Sequence, residues 1–132
     1  MKEQFEISYS FAVSPEKVFK AWLDSKAHTD MTGGLAECSD KEGNSFTAWD
    51  GYINGRNITL ISGQKIIQSW RTVEFSEDDE DSLLVLTFEE EAGGCKLILH
   101  HSNIPSGQTT YKQGWVDNYF LPMETYFSRS KI

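Results

Sequence analysis

Two adjacent histidines, His100 and His101, have the strongest potential for chemistry in this sequence. They fall in a strand-like segment, where neighbouring side chains point to opposite faces, so the two imidazoles do not converge on one metal ion. Parity places His101 on the apolar face with Leu99. A general base also needs a nucleophile or a partner, and the sequence presents none at a recognisable position. We therefore interpret His101 as a buried, hydrogen-bonded histidine.

Arg71 is the second candidate for a chemical role. It follows Trp70 near the end of a strand-like segment, and alternation places Trp70 on the core face and Arg71 on the outer face. The simplest interpretation of Arg71 is a solvated or ion-paired residue. The alternative is an arginine at a cavity mouth that grips a carboxylate, because a guanidinium suits bidentate capture.

The segment from Asp50 to Arg56, with the sequence DGYINGR, looks most like a motif. Its opening Asp-Gly pair is typical of a tight turn, and a glycine within a strand, here Gly55, marks a bulge or close packing. Backbone geometry is the favoured interpretation. The functional alternative places Asp50, Asn54 and Arg56 on a partner-facing rim, to which Arg71 would also belong.

Other patterns in the sequence do not support catalysis or cofactor binding. Cys38 and Cys95 are too few and too far apart for a disulfide framework or a zinc site. The acidic run 77–81 lacks the alternating ligands and the glycine of a calcium loop and is typical of a solvated hairpin tip. The sequence has no Ser–His–Asp order, phosphate loop or paired catalytic carboxylates. We predict no catalytic residue, no metal site and no cofactor.

Length and charge restrict the class of protein. The 132 residues fit one domain spanning 1–132, with 4 Trp, 5 Tyr and 8 Phe available for a core. A net charge of −8 with scattered Lys and Arg argues against nucleic acid or an anionic membrane as a partner. No apolar run is long enough to span a bilayer, and the first residues do not follow a signal-peptide pattern. We expect a cytoplasmic protein.

The elements that would position these residues begin with a strand and two short helices. Alternating apolar residues predict a strand over 3–13. Ser14 followed by proline is typical of a helix start. Ser25 is the expected cap of a second short helix, which carries a solvated His28 and ends at the glycine pair 33–34.

Six further strand-like segments are separated by short turns, most of which contain glycine. They cover 35–39, 45–50, 52–61, 64–74, 83–91 and 95–103. Strands joined in succession by short turns indicate an antiparallel meander. A curved sheet of this kind needs a filler on its concave side.

One long helix near the end of the chain is the predicted filler. It is expected at about 109–130, capped by Thr109 or Thr110, and Pro122 should kink it or split it in two. Its apolar residues recur at helical spacing: Tyr111, Trp115, Val116, Tyr119, Phe120, Met123, Tyr126 and Phe127. The sequence therefore predicts an α+β fold, in which a curved antiparallel sheet of six to seven strands wraps this helix.

The predicted core and a predicted cavity follow from this arrangement. The core residues are Phe11, Phe19, Trp22, Phe46, Leu60, Trp70, Leu86, Leu99, Trp115, Tyr119 and Met123. A curved sheet diverges from a straight helix toward one end, so we expect a mostly apolar pocket between them. Its candidate lining residues are Trp70, Leu99, His101, Trp115, Tyr119 and Met123.

Several segments resemble one known family in the same order along the chain. They are 33–37 (GGLAE), 48–58 (AWDGYINGRNI), 65–71 (KIIQSWR), 101–105 (HSNIP) and 113–123 (QGWVDNYFLPM). Together they resemble the C-terminal domain of the activator of heat-shock-protein-90 ATPase. The resemblance covers nearly the whole chain. One departure is Asn103, at a turn position that would suit glycine.

The resemblance implies a helix-grip fold of the START-like, birch-pollen-allergen-like superfamily. It also implies a non-enzymatic binding protein whose partner is either a chaperone-like protein or a small hydrophobic ligand in the cavity. Two alternatives stay open. One is a cavity enzyme of the polyketide-cyclase type, using His101 and a tyrosine of the last helix. The other is a stress-response module that forms a homodimer rather than a monomer.

Overall fold

The computed structural model describes residues 2–129. In chain order the elements are β1 (Glu3–Phe11), α1 (Pro15–Leu23), α2 (Ser25–Thr32), β2 (Ser45–Ala48), β3 (Ile53–Ile61), β4 (Lys65–Thr72), β5 (Ser82–Glu91), β6 (Gly94–Ile104), α3 (Tyr111–Trp115), a π-helical turn (Val116–Phe120) and α4 (Leu121–Arg129). The last three elements together are called the last helix below.

One antiparallel sheet has the strand order β1-β6-β5-β4-β3-β2. From β2 to β6 each strand pairs with the next along the chain, and β1 closes the other edge against β6. The curved six-stranded sheet, the two short helices after β1 and the long last helix confirm the predicted α+β fold. The strand predicted at 35–39 is wrong, because that segment makes a single bridge from Glu37 to Thr47.

Helix caps tie α1 and α2 to the chain around them. The Ser14 hydroxyl accepts a hydrogen bond from the Lys17 amide, as predicted, and proline follows at the first helical position. The cap of α2 is Asp24 and not Ser25, since the Asp24 carboxylate accepts from the Ala27 amide at 2.8 Å. The Ser25 hydroxyl instead bonds both backbone groups of Cys38 and ties α2 to the following loop.

A bulge in β3 changes which residues face the core. The register with β4 shifts between Asn57 and Thr59, which leaves Ile58 outside the alternation and 48% exposed. Leu60 still faces inward opposite Ile66, but it lies near the end of the strand and is only half-buried. The prediction of a buried Leu60 is therefore wrong. The other ten predicted core residues are buried.

Buried amides hold the inner face of β3 and β4 together beneath α1. Asn57 and Gln68 are 1% and 2% exposed, and the Gln68 amide donates to Asn57 Oδ1 at 2.9 Å. The Trp22 indole donates to Gln68 Oε1, and the Asn57 amide donates to the carbonyl oxygens of Ser39 and Lys41. Every polar group of this network is paired, as a buried position requires.

The last helix is interrupted by a π-helical turn that ends at Phe120, two residues before Pro122. Proline has no amide N–H to complete the regular helical ladder, and the Leu121 amide bonds the Val116 carbonyl, five residues back. The interruption predicted at Pro122 thus takes the form of a widened turn. Thr110 occupies the N-cap without a side-chain hydrogen bond, and the predicted end at Ser130 lies outside the described residues.

Aromatic contacts hold the last helix in the concave face of the sheet. Phe120 lies against Tyr9 and Phe11 of β1, and Phe127 lies against Phe11 with a ring separation of 5.5 Å. Nearer the start of the helix, Trp115 packs on Trp70 of β4. The helix therefore spans the sheet from its β1 edge to β4.

Candidate functional site: an aromatic cleft

A cleft of about 470 Å³ opens between the first half of the last helix and the hairpin of β2 and β3. This volume suits a small organic ligand. The lining residues are Trp49, Tyr52, Ile53, Trp70, Thr110, Tyr111, Gly114, Trp115, Asn118 and Tyr119. A wider groove of about 980 Å³ between α1, α2 and the loop after Cys38 has a lining of charged, small and aliphatic residues with a single aromatic ring.

The floor of the cleft is formed by three buried rings. Trp70, Trp115 and Tyr119 are each 3% exposed. Trp115 contacts Trp70 at 5.5 Å between ring centroids and Tyr119 at 4.8 Å. Such tilted and edge contacts suit the charge distribution of aromatic rings. The floor is therefore a rigid, continuous aromatic surface.

A hydrogen-bonded chain beneath the floor fixes the state of His101. The Trp115 indole donates to His101 Nδ1 at 3.1 Å, so Nδ1 is an acceptor and the ring proton sits on Nε2. Nε2 then donates to the Ser82 hydroxyl at 2.8 Å, and that hydroxyl donates to the Trp70 carbonyl at 2.6 Å. Burial lowers the pKa of His101 to about 3, with a smaller contribution from His100. His101 is thus neutral with both nitrogens engaged.

A second buried histidine supports Tyr119 from behind. His28 is 2% exposed, so the prediction of a solvated His28 is wrong. Its Nδ1 donates to the Trp22 carbonyl at 2.8 Å, which leaves Nε2 to accept the Tyr119 hydroxyl proton at 2.9 Å. Burial lowers the pKa of His28 and raises the pKa of Tyr119, so both groups are neutral. This bond fixes the ring of Tyr119 in the floor.

One wall of the cleft is the half-buried Trp49, presented by an unusual turn. Trp49 and Asp50 have φ angles of 53° and 59°, in the left-handed region that non-glycine residues rarely adopt. A neighbouring loop holds the turn in place: the Asp50 amide donates to the Leu35 carbonyl, and the Leu35 amide donates to Asp50 Oδ1. Gly34 lies under the indole, since a Cβ there would be 2.6 Å from the Trp49 ring.

Two further lining residues, Tyr52 and Tyr111, carry hydroxyl groups. Tyr52 donates to the Glu74 carboxylate, and Tyr111 donates to Gln108 Oε1 at 2.6 Å and accepts from the Thr72 hydroxyl at 2.9 Å. Burial, followed by the bond to Glu74, raises the pKa of Tyr52 to about 12. Burial also raises the pKa of Tyr111. Both phenols are therefore protonated at neutral pH and offer a polar rim.

The predicted pocket residues divide into two groups in the structure. Trp70, Trp115 and Tyr119 line the cleft. Leu99, His101 and Met123 are fully buried in the core and are not part of the lining.

The predicted partner-facing residues lie on the outer face and the loops of the β2–β4 region. Asn54 is exposed on β3, and Asp50 is exposed in the turn before it. Arg56 donates to the Gly43 carbonyl at 2.8 Å. Arg71 pairs with Asp81 at 2.7 Å and donates to backbone carbonyls of the acidic turn. Both arginines thus have structural partners within the chain.

Three lining aromatics were not among the predicted pocket residues: Trp49, Tyr52 and Tyr111. Trp49 and Tyr52 flank the Asp-Gly turn, and this pair of aromatics around a tight turn was the available signal. Tyr111 was predicted as one of the apolar residues at helical spacing in the last helix. Its ring packs against Trp70 with 5.1 Å between ring centroids, which agrees with that prediction. The left-handed turn at Trp49 and Asp50 places Trp49 in the wall of the cleft, and the sequence pattern does not reveal that turn.

The site offers binding chemistry. Its groups are aromatic faces, neutral phenols and one exposed amide, that of Asn118. Within residues 2–129, no three His, Cys, Asp or Glu side chains lie close enough together to hold a metal ion. No helix in the same range is both long and apolar enough to span a membrane.

Comparison with solved structures supports the fold. An HSP90 activator from Plasmodium falciparum superimposes with a TM-score of 0.86 at 29% identity, covering 95% of this chain and 96% of that one. The structure of Ara h 8.0201 superimposes with a TM-score of 0.72 at 16% identity, covering 98% and 99% of the two chains. The architecture is that of the START-like helix-grip class.

Comparison of sequences identifies the family within that class. Residues 12–127 match the family described as Activator of Hsp90 ATPase homolog 1-like protein, and the chain belongs to this family. The activator of 90 kDa heat shock protein ATPase homolog of Dictyostelium discoideum is 25% identical over 127 residues, which are 95% of this chain and 33% of that protein. The chain spans about a third of the length of the curated relatives it matches.

Proposed function

We propose that this chain is a non-enzymatic binding protein whose ligand site is the aromatic cleft. The observation that carries the proposal is an open cleft of about 470 Å³ with a rigid floor of Trp70, Trp115 and Tyr119. Around this buried floor the half-buried rings of Trp49, Tyr52 and Tyr111 keep aromatic surface accessible, and such surface favours the capture of an apolar group. The tyrosine hydroxyls at the rim would orient that group.

The state of the buried histidines supports binding over catalysis. A cyclase-type enzyme needs an acid or base that reaches the ligand, and the candidate was His101. Its two nitrogens are occupied by Trp115 and Ser82, and the ring is 0% exposed. His28 is engaged in the same way by Trp22 and Tyr119.

A neutral, environment-sensitive dye tests the cleft. Nile red should bind saturably, with a rise in fluorescence, and Gly114→Leu should abolish this because a side chain at Gly114 points into open space in the lining. Lys112→Leu is the matched control, since it adds the same side chain to an exposed position of the same helix. Equal binding by both variants, or no saturable binding by the parent chain, would rule out the cleft as a site.

A chaperone of the heat-shock-protein-90 class is the second candidate partner. The support is membership of the activator family and the similarity to the Plasmodium falciparum HSP90 activator over nearly the whole of both chains. In this proposal the exposed face around Asn54 of β3 contacts the chaperone.

ATPase measurements on a purified chaperone of this class test the second candidate. The parent chain should bind it in sedimentation experiments and raise its ATPase rate to a plateau. Asn54→Arg should weaken both effects, while Ser8→Arg, the same charge change on an exposed position of β1, should leave them unchanged. Absence of binding and of any rate change for the parent chain would contradict the proposal.

A further inference from the structure

We infer that the aromatic cleft selects an organic cation: a substituted ammonium group attached to an apolar or aromatic body. The inference rests on the proposed ligand-binding function and names the chemical class of the ligand. It is carried by three observations, which are the aromatic lining, the absence of cationic side chains from that lining, and a carboxylate at the rim.

The rings that line the cleft contact one another in sequence. Trp49 lies against Tyr119, which lies against Trp115, and the series continues through Trp70 to Tyr111, with centroid separations of 4.8–6.5 Å. The face of an aromatic ring carries negative potential and attracts cations, most strongly when the ring is tryptophan. Three tryptophans and three tyrosines around one cleft form an environment of the kind that holds quaternary ammonium groups.

Charges near the cleft favour the same sign of ligand. No Lys, Arg or His is among the lining residues. Arg71, which follows the lining residue Trp70 in β4, is turned toward Asp81 and the acidic turn. An anionic ligand would lose hydration in the cleft without gaining a charged partner there.

Glu74 supplies the negative charge at the rim. Its carboxylate accepts the hydrogen bond from the Tyr52 hydroxyl in the cleft wall, and the chain then continues into the acidic residues 77–81. Charges are screened over about 8 Å at physiological ionic strength. Glu74 is bonded directly to a lining side chain, and we therefore assign it to act on a bound cation. The net charge of −8 adds attraction at long range.

The volume of the cleft indicates more than a bare ammonium group. About 470 Å³ lies within the range of pockets for drug-sized ligands. A ligand with an aromatic or aliphatic body would cover the buried floor of Trp70 and Trp115, while its cationic group lay among the half-buried rings of Trp49, Tyr52 and Tyr111.

A pair of ligands that differ only in charge tests the inference by titration calorimetry. 3-Hydroxyphenyltrimethylammonium and 3-tert-butylphenol have the same shape, with N⁺ in one where the other has carbon. We expect the cation to bind on the order of tenfold more tightly, the ratio that one favourable cation–π contact supplies. Gly114→Leu should abolish the binding of both compounds.

Two matched variants assign the charge effect to its source. Glu74→Gln should lower the affinity for the cation several-fold and leave that for the neutral compound unchanged. Glu80→Gln removes the same charge from an exposed position of the acidic turn. It should lower the affinity for the cation by less than Glu74→Gln does, and it should leave the affinity for the neutral compound unchanged. Equal effects of Glu74→Gln and Glu80→Gln on the cation would overturn the role of Glu74.

The ligand pair also separates this inference from the function it rests on. If the neutral compound binds in the cleft as tightly as the cation, the preference for cations is overturned while the ligand-binding function stands. If neither compound binds, and Nile red does not bind either, both proposals are overturned together.

Discussion

The Trp115 indole donates a hydrogen bond to Nδ1 of His101 at 3.1 Å, which joins the last helix to β6 directly beneath the cleft. The Nε2–H group of the same imidazole donates a hydrogen bond to the hydroxyl of Ser82 at the start of β5. One histidine therefore links three elements with both nitrogens satisfied. A polar residue in this position specifies how the helix sits on the sheet, because any shift would leave buried donors and acceptors unpaired.

Truncating Trp115 should separate the contributions of packing and hydrogen bonding. Trp115→Ala should cost about 3–5 kcal/mol, because it leaves a large cavity among packed rings. Trp115→Phe keeps a ring but leaves His101 Nδ1 without its donor, at a cost of about 1–3 kcal/mol. Urea unfolding measures both. A loss below about 1 kcal/mol for Trp115→Ala would show that this residue is not core.

Stability should fall as the pH is lowered from about 6.5 toward 3. The unfolded chain takes up a proton on His101 near its ordinary pKa of 6.5, while burial lowers the pKa in the folded chain to about 3. Between these values the unfolded state binds more protons, so acid favours unfolding by up to about 1.4 kcal/mol per pH unit. The stability contributed by a neutral His101 is complete above pH 6.5.

Two measurements check this pH dependence. The imidazole resonances of His101 should not titrate between pH 8 and pH 5, and its nitrogen shifts should be those of the Nε2–H tautomer. In urea unfolding, His101→Gln should show a shallower loss of stability between pH 6.5 and pH 4 than the parent chain does. The same slope for both proteins would contradict the assignment.

Two glycines should respond to alanine with opposite signs. A Cβ on Gly55 would lie 1.9 Å from the Ser69 carbonyl oxygen and 2.7 Å from the Phe46 ring, so Gly55→Ala should cost about 1–3 kcal/mol. In α3, a Cβ on Gly114 would meet nothing closer than 3.8 Å, so Gly114→Ala should gain about 0.5–1 kcal/mol. Thermal or urea unfolding decides both, and destabilisation by Gly114→Ala would contradict the open site.

The sequence allowed the strands and their faces to be predicted because alternation is a local property. Parity placed Trp70 and His101 inward, and both are buried. The close packing predicted for Gly55 is present in the structure. Asn103, noted as a position suited to glycine, has a φ of 58° and donates its side-chain amide to the Asp81 carbonyl. A short polar side chain tolerates that conformation.

Features that depend on distant partners were not predictable in the same way. His28 is buried because Tyr119, 91 residues away, supplies a donor, and nothing in the polar sequence of α2 indicates this. Leu60 faces inward after the bulge in β3, but it lies near the end of the strand and is only half-buried, which local alternation does not reveal. The wall of the cleft depends on Trp49 in a left-handed conformation, which is stabilised by contacts with Gly34 and Leu35.

The bond between Tyr119 and His28 should appear as a coupling energy in a double-mutant cycle. Tyr119→Phe keeps the ring contacts with Trp22 and Trp115 but removes the donor to His28 Nε2, so we expect a loss of about 1–3 kcal/mol. His28→Ala removes the acceptor. If the bond stabilises the fold, Tyr119→Phe should cost much less when His28 is already alanine, because no buried acceptor then remains to be left unpaired. Urea unfolding of the four proteins gives the coupling energy, which we expect to exceed about 1 kcal/mol. If the free-energy losses of the two single variants add within about 0.5 kcal/mol, the two residues are neighbours without an energetic link. Tyr119→Phe should also weaken Nile red binding only slightly, because the ring stays in the floor.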